Sequence, residues 1–224
     1  MFDLFHTLVS VPPPAVAGEP SVAELLGVST EEWQRRYYEE DVLGRCVGVV
    51  VDAVEAMRLV THSIDPTVPE ERIHAAVESR RRRFEKGLVD VDLSILDALD
   101  RLRSAGIRTG LVSDAGADDV ESWTRSPLRD RFDAVLFSYE IGVRKPDPRI
   151  YERALEMLDA QPPETFFVGD GGSDEHRGAR TAGLRTVLVT RLVSLWSPDL
   201  VPARRAHADW EFPDVPAFVA ALGL

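Results

Sequence analysis

The chain opens on a short apolar run, MFDLFHTLV, which breaks into a polar turn, and a proline-rich joint follows from Val11 to Pro14. From about Ser21 to Phe84 apolar positions recur at helical spacing. Ser29 or Thr30 is placed to cap a helix over TEEWQRRYYEE, with acids in its first turn. Within it Trp33 and Tyr37, four apart, read as packing residues. Cys46, Val47, Val50, Ala53, Val54 and Met57 form one apolar stripe of a second helix. PEERIHAAVESRRRRFEK predicts a third, with a proline near its start, and its Arg80 to Arg83 read as a solvated face.

After Asp90 the rhythm changes. DLSILDALDRLRSAG predicts an amphipathic helix stopped by Gly106. IRTGLVS follows as a buried strand, then a helix, the strand AVLFS, the helix RIYERALEML, the strand TFFVG, the helix EHRGARTAG and the strand RTVLVT. HADWEF and DVPAFVAAL predict a last strand and helix. Alternating strands and helices predict an α/β fold with a Rossmann-like parallel sheet covered on both faces. The all-helical stretch after the first strand then reads as an inserted cap. The expected division is a core of residues 1–14 and 87–224 and a helical cap of residues 15–86. Ligands bind such sheets at the carboxyl ends of the strands.

Composition narrows the functional classes. Of 224 residues 44% are hydrophobic and 29% charged, an ordinary globular balance. With 38 acids against 26 bases the net charge is −12, which disfavours nucleic acid and anionic membrane surfaces as partners but permits a local cationic pocket. Cys46 is the lone cysteine, so neither an intrachain disulfide nor a zinc-type ligand spacing exists. The longest apolar run, Cys46 to Val51, is far too short to span a bilayer. The first residues carry no signal-peptide pattern. The expectation is a cytoplasmic protein, monomeric or weakly dimeric, acting on a small molecule.

The reactive residue types follow the strands, as the fold requires. Asp3 ends the first strand, Ser113 and Asp114 end IRTGLVSD, Lys145 lies in GVRKPDP after AVLFS, and Asp170, Asp174 and Glu175 follow TFFVG. In a parallel sheet these loops converge on one rim. Carboxylates from Asp3, Asp170 and either Asp174 or Glu175 repel one another if bare. Magnesium, which takes a few carboxylates plus water, removes the conflict. Lys145 adds a positive charge, Ser113 a hydroxyl donor, and the backbone amides around Asp114 can hold phosphoryl oxygens. An aspartate can attack phosphorus to give an aspartyl-phosphate that water hydrolyses.

MFDLFHTLV, LVSD, GVRKPDPRIY and VGDGGSDEHRGARTAGL resemble, in order and spacing, the four motifs of the haloacid dehalogenase-like hydrolase superfamily. The helical insert between the first two resembles that superfamily's C1 cap. The resemblance implies Asp3 as nucleophile and metal ligand and the Phe5 carbonyl as a further ligand. It implies Asp170 on the metal, with Asp174 or Glu175 there directly or through water. Thr7, Ser113, Asp114 and Lys145 would then contact substrate, Lys145 also orienting the nucleophile.

The chain departs from the phosphatase pattern at one place. Phosphatases of the superfamily carry a second aspartate two residues after the nucleophile as general acid/base, and here that residue is Phe5. Such help is worth ~10²–10⁴ in rate. Either substrates have good leaving groups, or His6 or a cap residue supplies the proton, or the reaction differs. The 2-haloacid dehalogenases of the superfamily carry an aromatic there, but they lack the acidic fourth motif, which this chain retains. A magnesium-dependent phosphatase is therefore the leading expectation. A dehalogenase and a catalytically silent homologue that binds a phosphorylated metabolite are the alternatives. With only two residues ahead of Asp3, the first strand is also short, which predicts low stability.

Overall fold

The computed structural model describes residues 1–40 and 44–224, and the side chain of Glu39 lies outside this description. Among the described residues five parallel strands form one sheet: β1 (Gly110–Ser113), β2 (Ala134–Phe137), β3 (Phe166–Gly169), β4 (Arg185–Val189) and β5 (Trp210–Phe212). β1 pairs with β2, and β3 with β4 and β4 with β5. Phe2 bridges Leu111 on one side and Val168 on the other, so the N-terminal run is the short central strand that joins the two halves. Its ladder consists of Phe2 N to Gly110 O (2.8 Å), Val112 N to Phe2 O (2.9 Å), Asp3 N to Val168 O (2.9 Å) and Val168 N to Met1 O (2.9 Å). The chain is thus an α/β protein with a parallel sheet, as its periodicity predicts.

Both faces of the sheet are covered. Helices Leu93–Ser104 and Val215–Ala221 bury Ile95, Leu99, Phe218 and Val219 against one face. Pro148–Leu158 and Glu175–Thr181 bury Ile150, Tyr151, Leu155 and Ala179 against the other. Strands buried on both faces are continuous apolar runs rather than alternating ones, which explains FFVG and TVLV. One connection differs from expectation. The segment after β1 is not an α-helix but three short 3₁₀ turns, Ala117–Asp119, Glu121–Arg125 and Arg129–Arg131, with Pro127, which has no amide hydrogen, between the second and third.

Between the first strand and Val89 the regular elements among the described residues are helices, with an apolar cluster of their own built on Leu26, Trp33, Tyr37, Met57, Val60 and Ile73. Trp33 and Tyr37 stack with centroids 4.6 Å apart, as packing residues should. Ser29 caps Thr30–Gln34, accepting from Glu32 N at 3.3 Å. The long helix Glu70–Val89 starts after Pro69. The expected stripe from Cys46 to Met57 is not one helix. Arg45–Val47 is a single 3₁₀ turn between Gly44 and Gly48, both left-handed, and the helix Ala53–Ile64 begins only after Asp52, which caps Glu55 N at 2.7 Å. Val49 and Val51 are left exposed. Residues 41–43 of the predicted helical stretch lie outside the described residues. Among the described residues no helix is long and apolar enough to cross a membrane.

Candidate active site

Four strand ends place their loops on one rim. The Asp3 carboxylate leaves the central strand and is buried, its Oδ2 accepting from Thr7 Oγ1 at 3.0 Å. Lys145, in the loop after β2, extends its ammonium between two acids, with Nζ 2.6 Å from Asp3 Oδ1 and 2.6 Å from Glu175 Oε2. Glu175 opens the helix Glu175–Thr181, and its Oε1 accepts from Gly171 N at 2.7 Å. This approach depends on Gly169, since a Cβ there would lie 2.1 Å from Glu175 Oε1. Gly178 permits a second close approach. A Cβ there would meet the carbonyl oxygen of Pro146 at 2.4 Å, so its absence lets this helix press on the loop that carries Lys145.

Asp170 follows β3. Its Oδ1 accepts from Gly172 N at 3.0 Å and its Oδ2 from Arg204 Nη1 at 2.5 Å. One carboxylate oxygen from each of Asp3, Asp170 and Glu175 lies within 4.8 Å of the others, and all three residues are buried. Burial first, then the charges of Asp3 and Asp170, push Glu175 up to about 8 against the pull of Lys145. Asp3 is raised too, by burial and by Asp170, against Lys145 and Thr7. Burial alone would lower Lys145, but Asp3, Glu175 and Asp114 hold it well above the usual lysine range. Three buried carboxylates against one lysine and one arginine leave excess negative charge, and an all-oxygen donor set of this kind suits a hard divalent cation such as magnesium.

The other predicted residues are placed as follows. Ser113 is fully buried at the end of β1, and its hydroxyl has no hydrogen-bond partner among the described residues. The Asp114 carboxylate accepts from Lys145 N at 2.8 Å, so it orders the lysine's loop, and it also faces the cavity described below. Phe5 is half-buried, its ring edge-on to Phe84 at 5.1 Å. Asp174 does not join the carboxylate cluster: its backbone is left-handed and its exposed side chain pairs with Arg177 at 2.7 Å. His6, also left-handed at φ 65°, sets its ring edge-on to Trp196 at 5.1 Å.

A cavity of about 530 Å³ opens above this rim, with Phe5, His6, Asp114 and Asp170 on its floor and Tyr38, Arg83, Phe84 and Trp196 in its walls. Two structural elements of its surroundings carry no signal in the sequence. Arg204, 34 residues after Asp170, grips that carboxylate and its carbonyl. Arg80, expected at a solvated face, is instead 4% exposed. With Arg45 it forms a buried cluster on Asp118 and Asp119, including Arg45 Nη1 to Asp119 Oδ2 at 2.5 Å and Arg80 Nε to Asp118 Oδ2 at 3.3 Å. The Arg80 and Asp119 side chains also pair directly. The cluster ties the helical region to the loop after β1, and no local spacing announces partners 38 and 39 residues away.

Residues 1–183 match the family described as haloacid dehalogenase-like hydrolase. Pyrophosphatase PpaX of Bacillus mycoides (strain KBAB4) is 28% identical over 191 residues, covering 85% of this chain and 82% of the relative. The L-2-haloacid dehalogenase of Xanthobacter autotrophicus with chloropropionic acid covalently bound superposes with a TM-score of 0.66 at 21% identity, covering 99% of this chain and 96% of that one. A HAD family enzyme of Bacteroides thetaiotaomicron in complex with magnesium and inorganic phosphate superposes with a TM-score of 0.60 at 20% identity, covering 84% and 91%. Motif order, sheet and rim converge with these matches: the chain belongs to the haloacid dehalogenase-like hydrolases.

Proposed function

We propose that this chain is a magnesium-dependent phosphatase of a small organic phosphate, with Asp3 as nucleophile and the helical region of residues 15–86 as a cap over the site. The observation that carries this reading is the buried trio Asp3, Asp170 and Glu175 with Lys145 bridging two of them at 2.6 Å. Asp3, Asp170, Glu175 and the Phe5 carbonyl would hold the ion. When bound, magnesium supplies charge neutralisation between nucleophile and phosphoryl oxygens.

The protein's own groups do the rest. Thr7 and Lys145 fix the Asp3 carboxylate so that one oxygen can meet phosphorus in line. The Ser113 hydroxyl, without a hydrogen-bond partner among the described residues, can donate to a phosphoryl oxygen. Asp3 forms a bond to phosphorus while the ester P–O bond breaks, and the leaving oxygen takes its proton from water. Water then attacks the aspartyl-phosphate, releasing phosphate and restoring Asp3. Because Phe5 cannot donate a proton, substrates whose leaving group needs none are favoured, such as phosphoanhydrides and aryl phosphates. A relative named as a pyrophosphatase fits that preference.

A phosphate-release screen across alkyl, aryl and anhydride substrates, with magnesium or with chelator, beside Asp3→Asn, tests the reading. No turnover that requires both Asp3 and magnesium would refute it. Phe5 favours a second reading, a 2-haloacid dehalogenase, in which halide leaves without a proton. Halide release from a 2-haloacid that persists in chelator would establish it in place of the first. The intact pair Asp170 and Glu175, which halide displacement does not need, supports the phosphatase.

A further inference from the structure

In a chain of net charge −12, the cavity over the rim is lined by five arginines and only three aspartates. Most of that charge is already engaged. Arg45 and Arg80 are held by Asp118 and Asp119, and Arg204 by Asp170. Arg83 differs. It lies on the helix Glu70–Val89, half-buried in the cavity wall beside Phe84, and it has no carboxylate at ion-pairing distance among the described residues. Its contact is the phenolic oxygen of Tyr38, which also accepts from Arg80 Nη1 at 2.9 Å. Burial pulls its pKa below the usual arginine range, with Tyr38 and the charge of Glu19 opposing and Arg80 adding to the fall. A guanidinium stays charged even so, and a partly desolvated cation with no carboxylate at contact distance is costly until an anion reaches it.

We propose that Arg83 is a specificity determinant that binds a second anionic group of the substrate, a carboxylate or a further phosphate, while the reacting phosphoryl group sits at Asp3. This rests on the phosphatase reading and narrows its substrate class to small phosphates with a second negative charge at the far end. The cavity joins the two ends: Asp170 and Phe5 lie on its floor and Arg83 in its wall, with Phe84 and Trp196 flanking a short apolar linker. Planar guanidinium hydrogen bonds to carboxylate or phosphate are among the strong ones, which gives the site its preference for a charged over a neutral end.

Binding and turnover together test it. In an Asp3→Asn background, which does not consume the probe, calorimetry with magnesium compares glycerol phosphate, phosphoglycerate and glycerol bisphosphate. The expected result is at least about ten-fold tighter binding of one or both charged probes than of glycerol phosphate, the scale of a charge-assisted hydrogen bond. Adding Arg83→Gln should bring the charged probes down to the neutral one, and Arg83→Lys should retain part of the preference. Phosphoglycerate and glycerol bisphosphate separate carboxylate from phosphate as the recognised group. Equal binding of all three probes, or a preference that survives Arg83→Gln, overturns the subsite. Turnover of the same probes by the unmodified chain separates the two claims. Preference in binding, with no turnover of these probes or of the aryl and anhydride substrates of the screen above, refutes the phosphatase and leaves the subsite standing, while turnover without preference does the reverse.

Discussion

The α-amino group of Met1 lies inside the sheet. It donates to Phe166 O at 2.7 Å, in line with the ladder, and burial lowers its pKa from 8.0 to about 5. Acetylation replaces this ammonium by a neutral amide that can make the same bond. The gap between 8.0 and about 5, at ~1.4 kcal/mol per pH unit, means that charging the amine weakens the fold by about 4 kcal/mol. Between pH 5 and 8 the unfolded chain holds more protons on this amine than the folded one, so its contribution to stability rises with pH. The full penalty applies below about pH 5, roughly 1 kcal/mol remains at pH 7, and it vanishes above pH 8. Urea denaturation of free and acetylated protein at pH 5, 6, 7 and 8 reads the difference directly, because every other titrating group is shared. The acetylated form should be more stable, with a gap that closes as pH rises. A gap that is absent, or independent of pH, refutes the argument.

Four further outcomes are expected. Asp119→Asn leaves Arg45 and Arg80 buried with too little negative charge and should lower stability by about 3–5 kcal/mol in chemical denaturation, as the breaking of a buried ion pair does. Gly178→Ala forces a Cβ to within 2.4 Å of the Pro146 carbonyl and should cost about 1–3 kcal/mol while lowering kcat, because the loop that moves carries Lys145. Glu175→Gln should weaken magnesium binding in calorimetry far more than Asp174→Asn does, since only Glu175 faces Asp3 and Asp170. Phe5→Asp should raise turnover of alkyl phosphates by ~10²-fold or more and that of aryl phosphates much less, if the missing acid limits the rate.

The sheet and its rim were legible because both are written locally. An apolar run of four or five residues followed by Asp or Ser states a strand and what stands at its end, the GVRKPDP segment beyond β2 supplies Lys145, and parallel packing brings Asp3, Ser113, Lys145 and Asp170 to one rim. Choosing between Asp174 and Glu175 needed coordinates, because neighbours in sequence were separated by a left-handed backbone at Asp174 that turns its side chain outward. The RRRR run misled for a different reason. Solvation was the reading of the run alone, whereas the fate of Arg80 was decided by acids that lie beyond an entire helix and strand. Gly44, Gly48 and Asp52 carried the evidence against one helix through Cys46 to Met57, and apolar spacing outweighed them in that reading. Arg204 had no readable cue at all: its role follows from where the chain returns after β4, and nothing near it in sequence marks that return.

The contrast between an acidic exterior and an arginine-lined hollow sets how ionic strength acts on an anionic ligand. At long range an anionic ligand would meet the field of the whole molecule and be slowed, and only within about a Debye length, ~8 Å at physiological salt, would direct contact with Arg83 outweigh that field. For such a ligand added salt would speed encounter by shielding the approach and shorten residence by shielding the embrace, so arrival and departure would both quicken.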